Sequence, residues 1–166
     1  MSDDVVELIL NDHRRFEELM RGLRDSSSDR AKLRDDLSQL LVAHGEAEER
    51  EVYPQLAKKA SEDDEVEHGE EEHAEINKAL LDFLEVEDLN GDDYDEKLEE
   101  LAEVLNHHVN EEEQTMLNDA REELPQRERD KLGAAFMVAR ETLLKTNCGR
   151  VENVRLVVEK TKDRID

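Results

Sequence analysis

Cysteine is nearly absent: Cys148 stands alone among 166 residues, so no disulfide framework exists. In its loop context, "TNCG", it reads as a thiol with no redox role. Aromatic residues make up 3% of the chain and charged residues 42%. On those numbers alone such a sequence leans toward disorder. Positive charge is also scarce. Lys and Arg total 23 against 47 Asp and Glu, a formal net charge of −24. Nucleic acid and anionic membrane surfaces would be repelled and are not expected as partners; cations are favoured. No apolar run approaches the ~20 residues that a membrane span needs. The opening "MSDDVVELIL" has no basic, Ala-rich leader, and the expected location is the cytoplasm.

What is present is helical periodicity, which overrides the compositional lean. Val6, Ile9, His13, Phe16, Met20 and Leu23 alternate steps of three and four, the stripe of an amphipathic helix. "DSSSD" then supplies turn and N-cap chemistry. A second helix carries Leu33, Leu37, Leu40, His44 and Glu48, and Pro54 is expected to end or kink it. A third, expected to start after Ser61 as N-cap, carries Gly69, His73, Ile76, Leu80 and Phe83, with Asn90-Gly91 as its stop. Asp92 or Asp93 is expected to cap a fourth, whose stripe is Leu98, Leu101, Leu105, His108, Glu112 and Met116, closed by Pro125. Beyond Pro125, "QRERDKLGAAFMVARETLLK" reads as a fifth helix, and "RVENVRLVVEK" as either a short helix or a strand-like arm, since its valines are β-branched. The expected architecture is all-α: an up-down four-helix bundle over residues 1–124 and a helical extension, 125–166, packed on it.

The bundle is a disguised duplication. His13 and His73 each follow an acid and precede an apolar residue by three; His44-x-x-x-Glu48-Glu49 and His108-x-x-x-Glu112-Glu113 follow them in turn. Residues four apart on a helix differ by about 40° around its axis, so each His-x-x-x-Glu pair presents an imidazole and a carboxylate to one point. With His13 and His73 mid-stripe on the other two helices, the interior gathers four imidazoles and two carboxylates. Unpaired, those carboxylates would cost several kcal/mol each or bind protons; two cations remove that cost. Imidazole and carboxylate donors without thiolate suit iron, manganese or zinc, and a paired site with carboxylates free to bridge favours redox iron. Ferritin-like bundles use Glu-x-x-His instead, the reverse order at a different spacing. Tyr53 is read as core filling near the bundle end, or as a metal contact if Pro54 distorts its helix. His107 and Glu111 repeat the His-x-x-x-Glu spacing off the leucine stripe, as exposed or supporting groups. The runs Glu70–Glu72 and Glu111–Glu113 read mostly as a solvated face.

"NDHRRFEEL", "AHGEAEEREVYP", "EEHAEI" and "HHVNEEEQTM" together resemble the hemerythrin family in its bacterial HHE cation-binding form. The resemblance implies a four-helix bundle holding two iron ions with an oxo or hydroxo bridge, iron being favoured over manganese and zinc. It implies Glu48 and Glu112 as bridging ligands and His13, His44, His73 and His108 as terminal ones. Oxygen-carrying relatives have a further His one turn before the position of His73; here that position is Gly69. The expectation is an open or water-filled position beside Gly69, which favours reaction with a small oxidant over oxygen carriage. His68 is a possible substitute ligand, although five residues before His73 it lies about 140° off that stripe. A leucine-lined site is expected to admit little more than peroxide or a diatomic molecule.

The resulting expectation is a di-iron protein that binds and reacts with hydrogen peroxide, oxygen or nitric oxide, in the manner of a catalase-like oxidoreductase, with an electron donor as a further possible partner. The alternatives are an oxygen-binding or iron- or oxygen-sensing module without turnover, and an iron donor for repair of iron centres. The lack of an attached signalling domain weighs against sensing, and the lack of an N-terminal cysteine segment against repair.

Overall fold

A computed structural model of the chain describes residues 3–60 and 63–165. Its described residues form helices joined by turns, with no strand: α1 (Val5–Arg24), α2 (Arg30–Ala47), α3 (Tyr53–Lys59), α4 (Asp63–Leu84), α5 (Asp92–Gln114), α6 (Met116–Glu123), α7 (Gln126–Leu144) and α8 (Val151–Thr161). The long helices α1, α2, α4 and α5 make the bundle, each packed on two others. Their run is up and down. Tyr94, at the start of α5, donates to Leu23 O at the end of α1, 2.7 Å away. Arg34, at the start of α2, donates to Phe83 O and Val86 O at the end of α4.

Local chemistry explains the ends. The Asp4 side chain accepts the Val6 N–H at 2.9 Å, and Asp29 accepts that of Lys32 at 3.2 Å, both as N-caps. Ser61, the expected cap of α4, lies outside the described residues. Gly91, with extended backbone, takes the N-cap of α5. Asp92 and Asp93 therefore sit inside the first turn, where their charge meets the positive helix end; neither is the cap. Nor is Asn90-Gly91 the stop of α4, which ends earlier, at Leu84.

Pro54 does not end its helix. Between α2 and α3 the chain widens into a π-helical turn, Glu48–Val52, in which the Tyr53 N–H bonds to Glu48 O. The i→i+5 bond absorbs the register change ahead of the proline, which lacks an N–H of its own. It also stacks Tyr53 over Glu48, whereas five α-helical residues would separate them by about 140°. The fourth helix is likewise interrupted before Pro125, at Thr115, whose hydroxyl donates to Glu111 O at 2.7 Å.

Among the described residues the extension consists of two helices, α7 and α8, joined by a turn, with no strand-like arm. α7 packs on α1, α2 and the π turn, and α8 on α4. The valines of α8 settle into a helix because Val154 and Val157 are buried by that packing. The α7–α8 turn lies against the α2 backbone: a Cβ on Gly149 would come within 2.4 Å of Gln39 N, and Ser38 donates to Gly149 O at 2.6 Å. Cys148 is buried in that turn, where desolvation pushes its thiol up to about 11. No helix among the described residues is long and apolar enough to cross a membrane.

Two hydrophobic clusters fill the bundle, one around Phe16, Leu37, Leu80 and Leu101, the other around Ile9, Ala47, Tyr53 and Met116. Along every long helix a histidine marks the boundary between them: His13 lies between Ile9 and Phe16, and His108 between Leu105 and Met116. The polar layer thus has a hydrocarbon cluster on either side of it along the bundle.

Candidate metal centre

His13, His44, Glu48, His73, His108 and Glu112 converge on this layer, and all are buried. The four imidazoles are held alike. Each Nδ1 meets a carboxylate: His13 that of Glu113 at 2.9 Å, His44 that of Asp12 at 2.7 Å, His73 that of Glu49 at 2.7 Å and His108 that of Glu72 at 2.9 Å. With Nδ1 as donor, the Nε2 lone pairs point inward, the tautomer and orientation that metal-binding imidazoles require.

Inside, Nε2 of His44 and of His73 both approach Glu48 Oε1, at 3.1 and 3.2 Å. Glu112 spans the centre: Oε1 is 3.3 Å from His13 Nε2 and Oε2 is 3.4 Å from His108 Nε2. Nevertheless, His13 Nε2, His44 Nε2, His108 Nε2, both Glu48 oxygens and Glu112 Oε1 have no hydrogen-bond partner. Native interiors seldom leave so many polar atoms unsatisfied. Their convergence fits cations: the donors form two groups sharing Glu112, one with His13 and His44, the other with Glu48, His73 and His108. Each hairpin thus contributes its two imidazoles to one group and a carboxylate that reaches toward the other.

The electrostatics agree. Burial would depress the imidazoles, but the charges of Glu48 and Asp12 push His44 up to about 10, and the nearby carboxylates of Glu48 and Glu49 do the same for His73. His108 rises to about 9, against burial, through Glu112 and Glu72. Burial acts to raise Glu112, but His108 and His13 hold it well below the usual carboxylate range. Such a cluster is balanced by protons or by metal ions, and loading metal releases protons.

Tyr53 fills the place expected to be open. Its hydroxyl donates to Glu112 Oε2 at 2.6 Å and lies 3.2 Å from His73 Nε2, with the ring stacked on that imidazole. A Cβ on Gly69 would stand 3.0 Å from the hydroxyl and 3.3 Å from the ring. The missing side chain at Gly69 therefore makes room for a tyrosine, and the water-filled position is replaced by a phenol. Burial and the negative charges of Glu112 and Glu48 raise that phenol well above its ordinary value.

His68 is not brought to the centre. It is half exposed, and its Nε2 pairs with Glu111 Oε2 at 2.8 Å. His107 is exposed beside it. The glutamate runs are less solvated than their composition suggests, because Glu72 and Glu113 anchor imidazoles. Sequence reasoning missed these anchors, Asp12 and Glu49 among them. The repeat showed them in outline: an acid precedes His13 and His73, and another follows Glu48 and Glu112. Two arginines of the extension complete the support. Arg140 grips both oxygens of Asp12, at 2.8 and 2.9 Å, and Arg164 binds Glu49 at 3.0 and 3.1 Å.

A cavity of about 240 Å³ reaches all four histidines, passing Phe16, Val157 and Thr161, with Arg50, Lys160 and Arg164 on its lining. It is wider than the expected leucine slot, because α8 roofs it over the bundle surface and does not fill it.

A model of the hemerythrin HHE cation-binding domain matches residues 4–120, a span that covers all six converging side chains. No curated protein and no solved structure matches the chain.

Proposed function

The chain belongs to the hemerythrin HHE cation-binding domain family, and from that premise we propose that it is a non-haem di-iron protein that consumes hydrogen peroxide. The observation that carries the reading is the set of inward, unpartnered Nε2 and carboxylate atoms in two groups that share Glu112. His13 and His44 would hold one ion, His73 and His108 the other, with Glu48 and Glu112 between them. A pair of iron ions held there would supply the two-electron change by which two peroxides become one oxygen and two waters.

The side chains provide the rest. Carboxylates on every Nδ1 raise the basicity of the imidazoles and fix their aim. Phe16, Ile76 and Leu105 give the cavity hydrocarbon walls beside them. Arg50 and Arg164 on this approach are paired with Glu46 and Glu49, which line it too, and Lys160 adds a further charge to its polar rim. The Tyr53 hydroxyl is within reach of both Glu112 and His73. It is the one phenol at the centre among the described residues, placed to hold a proton at Glu112 or to serve as a ligand.

The test is oxygen evolution from peroxide by the iron-loaded protein, with its absorption spectrum, before and after Tyr53→Phe. The expected result is peroxide consumption that disappears with the iron, and a visible phenolate band in the parent that the variant lacks. Iron-loaded protein that leaves peroxide untouched while binding oxygen reversibly would make it a carrier instead.

A further inference from the structure

A second group of donors lies on the outer side of Glu72. His68 and Glu72 share a face of α4, and His107 and Glu111 face them from α5. His68 Nε2 is 2.8 Å from Glu111 Oε2 and 3.4 Å from Glu72 Oε2; His107 Nε2 is 3.2 Å from Glu72 Oε2 and 3.4 Å from Glu111 Oε2. A tetrahedral ion with bonds of about 2.0–2.1 Å separates its ligands by about 3.3 Å, and these spacings scatter around that value. The four atoms converge, and no lysine or arginine is among the described residues that line the adjoining cavity.

Convergence of exposed groups is common, but Glu72 is not exposed. It is 6% accessible. Its Oε1 accepts the His108 Nδ1–H, while its buried Oε2, aimed at the two outer imidazoles, has no hydrogen-bond partner. The internal duplication shows what such an oxygen lacks. Asp12 is the counterpart of Glu72: each precedes the first histidine of its hairpin and anchors the second. The free side of Asp12 is closed by the guanidinium of Arg140. The free side of Glu72 meets two imidazoles and a further carboxylate.

We propose that His68, Glu72, His107 and Glu111 bind a third cation, a borderline divalent ion such as zinc or ferrous iron, which does for Glu72 what the Arg140 guanidinium does for Asp12. Two imidazole nitrogens and two carboxylate oxygens are the donor set that such ions prefer. The strong negative charge of the chain adds to the attraction. A cavity of about 200 Å³, with Asp64, Glu65 and Glu111 on its lining as well as His108 and Glu112, gives the ion a way in from solvent.

The site touches the inner centre through Glu72, which anchors His108, but shares none of its six donors, and its test keeps the two apart. Zinc would be titrated into the chain with a competing chromophoric chelator, and bound metal counted per chain. Parent protein is compared with His68→Ala/His107→Ala, whose side chains are exposed enough not to disturb folding, and with Glu112→Ala, which disables the inner centre. The parent should bind one equivalent more than the double variant. Glu112→Ala should retain an equivalent that the added His68 and His107 changes remove. Equal stoichiometry in parent and double variant would overturn the third site whatever the inner centre does. A fault in the inner reading shows instead as Glu112→Ala binding as much as the parent.

Discussion

The hairpin α1–α2 and the hairpin α4–α5 place equivalent residues around the centre, and their differences are more informative than their match. His13 corresponds to His73, His44 to His108 and Glu48 to Glu112. The anchors also correspond, since Asp12 serves the histidine of α2 as Glu72 serves that of α5, while Glu113 and Glu49 each cross to the other hairpin. The halves diverge a single turn away. The first has Ile9 four residues before His13 and the second has Gly69 before His73. Five residues beyond Glu48 and Glu112 stand Tyr53 and Leu117. One side of the centre is therefore walled by hydrocarbon, and the other carries a phenol fitted against a glycine. What the halves share is a donor set able to hold metal; what they do not share is the polar company that one side of the centre offers.

The largest effect should come from a group that both halves use. Glu112→Ala removes the carboxylate common to the two donor groups and is expected to lose both ions, whereas His44→Ala should spare the half built on His73 and His108. Metal content after reconstitution and desalting distinguishes them. A metal present at a thousand times its dissociation constant adds about 4 kcal/mol to the native state. For a chain of this size that corresponds to about 8–16 °C in Tm. Chelated parent and Glu112→Ala should both fall short of the loaded parent by that order. Equal metal content in Glu112→Ala and the parent would break the picture of two halves joined by shared carboxylates.

Smaller losses should separate the halves through their anchors. Arg140 reaches Asp12 and so His44; Arg164 reaches Glu49 and so His73. Removing such a support typically weakens metal binding about 10–100-fold. Arg140→Gln should therefore loosen the ion held by His13 and His44, and Arg164→Gln the other, seen as two distinct steps in a chelator titration. The same step shifting in both variants would mean that the extension acts on the bundle as a whole and not on individual imidazoles.

Most of this centre was legible because it is local and periodic. His44 and Glu48, like His108 and Glu112, are four apart on one face, and a stripe of leucines says which face is buried. Asp12, Glu49, Glu72 and Glu113 were half legible: they flank the ligands, but an acid beside an inward histidine on a helix is ordinarily solvated, and only the neighbouring helix turns it into an anchor. Arg140 and Arg164 were not legible, since nothing local in "VARET" or "KDRID" points to a partner in α1 or in the π turn. Tyr53 was ambiguous for a physical reason. On an α-helix it faces away from Glu48, and the π turn ahead of Pro54 is what brings it round.

The smallest effect tests that last asymmetry. Gly69→Ala adds one methyl where the second half is fitted to its tyrosine. A helix interior gains about 1 kcal/mol from replacing glycine by alanine. Against this, the new carbon meets the Tyr53 hydroxyl at 3.0 Å and its ring at 3.3 Å, so the ring must yield by a few tenths of an ångström, and overpacking of this kind costs about 1–3 kcal/mol. The two nearly offset, and Tm should move by only a few degrees, downward. The optical effect should be the clearer one. If Tyr53 serves as a ligand in the iron-loaded protein, a displaced phenol would change its overlap with the metal, so the phenolate band should shift or weaken while metal content stays at the parent's value. Ile9→Ala, the same position in the other hairpin, opens a cavity and should lower stability by about 2–5 kcal/mol, but it should leave that band where it was. If Ile9→Ala moved the band and Gly69→Ala did not, the phenol would belong to the other half of the centre.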